Sequence, residues 1–160
     1  MDYRWEALNE WHLLPLKGGI LTFLNGNTHT FDHLMKGSTW TLKPILASKK
    51  TSHGGTRIVG YKSEITLITS QTNFKVMRPI LEDINKSSLT QIYCLFQESD
   101  FLTFLIQSNQ TYVSDFSIEF EINYSQESMG PELAIKVSIL MTKDIIDEAN
   151  FNVIFNQSWG

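Results

Sequence analysis

The chain has 160 residues, long enough for one domain with a substantial core. Hydrophobic residues make up 42%, aromatics 12% and charged residues 19%, a mix that excludes intrinsic disorder. The net charge is −4 and the longest basic run is Lys49-Lys50, which argues against specific nucleic-acid binding.

The first residues, Met1-Asp2-Tyr3-Arg4-Trp5-Glu6, lack the basic-then-apolar order of a secretory signal. No apolar run has the length of a membrane-spanning helix, so membrane insertion is not expected. Tyr3 to Trp11 is either a short helix or an arm. Gly19 to Leu24 has strand character, and Asn25-Gly26 after it is a tight-turn signal.

His29-Thr30-Phe31-Asp32-His33 carries the one spacing that resembles metal chemistry. Two His at i and i+4 share a face only on a helix. Thr28, Thr30 and Phe31 favour a strand or turn, so these are expected to be loop histidines near an Asp, with no metal and no other cofactor. Thr39-Trp40-Thr41-Leu42 begins a strand. Its hairpin partner alternates Val59, Tyr61, Ile65 and Leu67 with Gly60, Lys62, Glu64 and Thr66. Pro44 cannot donate to a ladder, so the first arm is an edge or contains a bulge. The connection, Ser48 to Gly55, is polar. Its Gly54-Gly55 fits backbone freedom at a hairpin tip better than a nucleophile site built on Ser52-His53. Lys43, Lys49, Lys50, Arg57 and Lys62 form a weak basic patch at that end.

Asn73 is placed to cap a helix over 74–86, with Phe74, Met77, Leu81 and Ile84 on one face. Pro79 either belongs to the first turn of a shorter helix or kinks a longer one. Glu82-Asp83 on that helix is expected to be a solvated face rather than a catalytic pair. Thr90 to Gln97 and Phe101 to Ile106 are further strands. Cys94, the sole cysteine, lies in an apolar run and is expected to be a buried, inert thiol.

Asp115 to Tyr124 and Leu133 to Met141 each alternate apolar and polar residues around a loop from Ser125 to Glu132. They form a long antiparallel hairpin, across which Lys136 faces Glu119 or Glu121. A second short helix is expected at Lys143 to Ala149.

These elements predict one mainly-β domain over 1–160, an antiparallel β-sandwich or open barrel with one flanking α-helix and long β-hairpins. Trp40 suits a core. Trp5, Trp11 and Trp159 lie near the chain ends and either fold back or dock onto a neighbour.

The layout resembles that of structural proteins of tailed-bacteriophage virions, of the tail-tube and baseplate-hub type. The likeness rests on the hairpin ending in Ile58-Val59-Gly60-Tyr61-Lys62-Ser63-Glu64-Ile65-Thr66-Leu67, the single helix after it, and the closing hairpin Phe116 to Met141. It covers about two-thirds of the chain and leaves out the first 35 residues, an N-terminal arm and strands. It implies a non-enzymatic virion subunit in the tail, neck or baseplate, assembled in the host cytoplasm. Such a subunit forms a homo-oligomeric ring and contacts other virion proteins. Trp5, Trp11, Lys49, Lys50, His53, Met129 and Trp159 are its interface candidates. Glu119 and Glu121 are candidates for an acidic lumen past which DNA slides without specific binding. The alternative is a small β-barrel that binds an apolar ligand among Phe101, Phe104, Phe116 and Phe120. An enzyme of another type is a third class.

Overall fold

The computed structural model describes residues 12–48, 56–70, 74–97, 101–106, 113–124, 131–142 and 155–158. In chain order the elements are β1 His12–Phe23, β2 Thr28–Phe31, β3 Thr39–Ser48, β4 Thr56–Ser70, α1 Phe74–Lys86, β5 Leu89–Phe96, β6 Phe101–Leu105, β7 Val113–Tyr124, β8 Pro131–Thr142 and β9 Phe155–Ser158. The mainly antiparallel β architecture with a flanking helix is as the sequence predicts. The helix or arm expected at Tyr3 to Trp11 and the short helix expected at Lys143 to Ala149 fall outside the described residues, as does the cap Asn73.

All strands belong to one antiparallel sheet in the order β7-β8-β4-β3-β1-β5-β6-β9, with β2 added beside β1. Among the described residues β7 and β9 do not pair, so the sheet is open. β1 is the hinge of the architecture. Its first residues, His12 to Pro15, pair with β3, and from Leu16 onwards it pairs with β5. A register shift at Leu16/Gly18 marks the change of partner. The two halves then pack face to face. Trp40 of β3 meets Phe96 of β5 edge-on at 5.8 Å, and a Cβ placed on Gly19 of β1 would stand 3.4 Å from the Leu67 side chain of β4.

Register explains the core. Ile118 of β7 lies opposite Val137 of β8, Val137 opposite Ile65 of β4, and Ile65 opposite Trp40 of β3. Period-two alternation points this whole row into the sandwich. The other half supplies Leu21, Ile92, Cys94, Phe96 and Leu102, all buried. Ser38 is buried too, and its hydroxyl is used twice: it accepts from Ile68 N at 2.9 Å and donates to Ile68 O at 3.4 Å.

Of the two readings of the Pro44 strand, the bulge is the one seen: β3 has β1 and β4 as neighbours, and its register with β4 shifts at Ile45/Leu46, just after Pro44. At Gly60 the β8 backbone leaves no room for a side chain: a Cβ there would be 2.6 Å from the Met141 carbonyl oxygen. α1 runs unbroken through Pro79, which is exposed. Met77 and Ile80 are buried, and Leu81 and Ile84 pack against the core.

Candidate functional site

Two features stand out: a part-buried polar cluster where α1 meets the β1–β2 hairpin, and the edge of β7, which has no second strand partner among the described residues.

The cluster begins with the turn that Asn25-Gly26 predicts. Gly26 has φ +89°, the left-handed conformation that glycine adopts without strain. The Asn25 side chain accepts from Asn27 N at 3.0 Å, closing an Asx turn. This aims the Asn25 and Asn27 amides and the His29 ring at Asp83 of α1. Asn25 Nδ2 donates to Oδ1 at 2.9 Å, Asn27 Nδ2 lies 3.3 Å from Oδ1 and 3.2 Å from Oδ2, and His29 Nε2 is 2.5 Å from Oδ2. Phe23 packs edge-on against the His29 ring at 5.7 Å.

Asp83 is only 7% exposed. Burial by itself raises its pKa. The hydrogen bonds from His29, Asn25 and Asn27, with the nearby imidazole, outweigh that and hold the carboxyl below its usual value. A carboxylate has about four lone-pair sites, and these contacts occupy them. Its chemistry is therefore that of a fastening between helix and hairpin. A general base needs a lone pair free for the incoming proton.

The expectation for Glu82-Asp83 is half corrected. Glu82 is exposed and pairs with Arg78 at 3.1 Å, one helical turn away. Asp83 turns inward because it lies three residues beyond buried Ile80 on the same helix face. The available signal was an acidic residue near a helix C-terminus, where the macrodipole disfavours it unless a partner is supplied.

His29 and His33 do not act together. His29 is in β2 and half-buried, while Asp32 and His33 are exposed beyond it. No group of three or more metal-ligating side chains occurs among the described residues. Cys94 is buried, and burial pushes its thiol pKa up to about 12.

The second feature is a strand edge. β7 pairs with β8 from Val113 to Tyr124 and, among the described residues, with nothing on its other side. Phe116, Ile118, Phe120 and Ile122 face the sandwich but are only half-buried. Asp115, Ser117, Glu119, Glu121 and Asn123 stand exposed on the opposite face. β7 contains no Pro and no Lys, the residues that commonly blunt such an edge.

Glu119 and Glu121 are thus on the outer face of β7. Lys136 lies opposite Glu119 in register, as the hairpin pattern predicts, and it also forms an ion pair with Glu64 of β4 at 3.6 Å. Lys62 holds the same Glu64 at 2.9 Å, and its hydrogen bond keeps that carboxyl below its usual pKa. The interface candidates Trp5, Trp11, Lys49, Lys50, His53, Met129 and Trp159 all lie outside the described residues.

The phenylalanines proposed to line one chamber are distributed over both halves of the sheet. Phe101 stacks on Tyr93 at 5.4 Å, on the face of β5–β6 opposite buried Cys94 and Leu102. Phe116 and Phe120 belong to the far edge of the other half. Phe104 lies in β6 opposite Ile92.

Comparison of the chain with protein-family models, with curated proteins and with solved structures yields no match.

Proposed function

We propose that this protein is a non-enzymatic structural subunit that joins neighbours through strand edges and hairpins. The layout resemblance suggests a tailed-phage virion as the setting, in the tail, neck or baseplate. The observation that carries the reading is the β7 edge. It leaves the backbone groups along one side of a 12-residue strand without a ladder partner among the described residues, above a row of half-buried apolar side chains. An edge of that length is a template for another strand. Adding one would complete the burial of Phe116, Ile118, Phe120 and Ile122 and gain main-chain hydrogen bonds, as in other cases of strand addition.

The test is native mass against concentration. The wild-type chain is expected to form particles well above the 18.4 kDa of one copy. Ile118→Lys places a charge on the inward side of the edge and is expected to leave a folded monomer, with near-native circular dichroism. A wild-type protein that stays at 18.4 kDa at every concentration overturns the reading.

A further inference from the structure

Register orders the outer face of the β3–β4–β8–β7 half into rows. Lys43, Lys62, Leu140 and Asp115 form one row across the four strands. Thr41, Glu64, Ser138 and Ser117 form the next, and Thr39, Thr66, Lys136 and Glu119 the third. Period-two alternation turns these side chains away from the buried Trp40, Ile65 and Val137. Asp115, Ser117, Glu119 and Lys136 are exposed and the others half-buried.

Charge is unevenly spread over this face. Lys62 and Lys136 share Glu64, at 2.9 Å and 3.6 Å. Lys43 and Asp115 stand at opposite ends of the first row, and neither has an ion pair among the described residues. Three strand spacings, about 14 Å, keep them from meeting within one copy. Lys43 also lies directly opposite Lys62, an arrangement that is unfavourable unless anions offset it.

We propose that this face packs on the same face of a second copy, about a two-fold axis that runs along the strands between β4 and β8. That axis lays β3 of each copy over β7 of the other, so Lys43 meets Asp115 of the second copy, twice by symmetry. In the next rows Thr41 meets Ser117, Glu64 meets Ser138, Thr66 meets Lys136 and Thr39 meets Glu119, and no like charges are opposed. A two-fold axis across the strands at the second row would instead set Glu64 on Glu64 and Asp115 on Glu119, which is repulsive. Four strands about 4.8 Å apart, over about 25 Å of their length, give roughly 500 Å² per copy, at the lower limit for a specific interface. The contact is therefore weak between single copies and firm between copies already joined along their edges, where many such contacts act together. It rests on the assembly reading above and adds a second surface to it.

Sedimentation velocity at low and high salt tests it. The wild-type particle is expected to have about twice the mass at low salt that it has at high salt, because salt screens the face contact while main-chain bonds along the edges persist. Lys43→Glu and, separately, Asp115→Lys are each expected to give the smaller particle even at low salt, with the face contact weakened about tenfold or more. Combined in one chain, the two reversals are expected to restore the larger particle, with affinity within about threefold of wild type, because opposite charges face each other again. A mass that neither salt nor either reversal moves overturns the face contact and leaves the edge reading standing. A combined variant that stays at the smaller mass also overturns the face contact. Dimers of Ile118→Lys that Lys43→Glu abolishes keep the face contact and overturn the edge reading. A wild type that is a monomer throughout overturns both.

Discussion

β7 alternates Phe116, Ile118, Phe120 and Ile122 with polar residues, and β8 alternates Leu133, Ile135, Val137 and Ile139 in the same rhythm. The β8 side chains are shut off from solvent and those of β7 are half-buried. The difference is position. β8 has β7 on one side and β4 on the other, with a ladder to β4 that runs from Gly60↔Thr142 to Ser70↔Glu132. β7 has β8 alone among the described residues. An interior strand is screened by neighbours on both sides, and an edge strand is screened on one. Two strands that are nearly interchangeable as patterns thus differ in what they offer a partner.

The sharpest way to break that contrast is truncation on each strand. Ile135→Ala in β8 is expected to cost about 2–5 kcal/mol, the range for deleting a fully buried aliphatic side chain. Ile118→Ala in β7 is expected to cost about half as much in the monomer, since less area leaves water on folding. Urea denaturation at low protein concentration measures both. Equal losses would mean that the edge is already covered within one chain.

A smaller effect is expected at the clasp between α1 and the β1–β2 hairpin. Asp83→Asn is expected to lower stability at neutral pH by about 1–3 kcal/mol, because the donors from His29, Asn25 and Asn27 lose a charged acceptor. The pH dependence follows from the depressed pKa of Asp83 in the fold. Its contribution is fully present above the unfolded-state value of about 3.9 and is lost as pH falls through the lower folded value. The gap between wild type and Asp83→Asn is therefore expected to close in acid. A gap that stays constant from pH 7 to pH 2 would count against the clasp.

The smallest expected effect is on the outer face. Lys136→Ala removes a half-exposed ion pair with Glu64 and is expected to change stability by no more than about 0.5 kcal/mol, less at high salt. Lys62 remains to hold Glu64. A larger loss would mean that this face is more buried than its exposure indicates.

Much of the local structure is legible from residue order. The α1 bounds, the β7–β8 hairpin, the β3–β4 hairpin and the Asn25-Gly26 turn follow from periodicity and turn chemistry. The first half of β1 is not legible, because Pro15, Lys17, Gly18 and Gly19 interrupt any alternation there. They do so where the strand passes from one half of the sandwich to the other, so its neighbours change partway along. β2 and β9, each Thr28–Phe31 or Phe155–Ser158 in extent, are too short for a period-two signal to rise above their surroundings.

The clasp and the edge mark the boundary most clearly. Alternation, turn residues and the helix stripe determine which residues form strands and which face of each is apolar, since those depend on neighbours within a few positions. Asp83 meeting Asn25, Asn27 and His29 across more than 50 residues of chain depends on how α1 is laid against the hairpin. That β8 lies inside the sheet and β7 at its margin depends on the pairing of β4 with β8. Both are long-range choices that arise from packing all the apolar faces together, and no local window of sequence contains them.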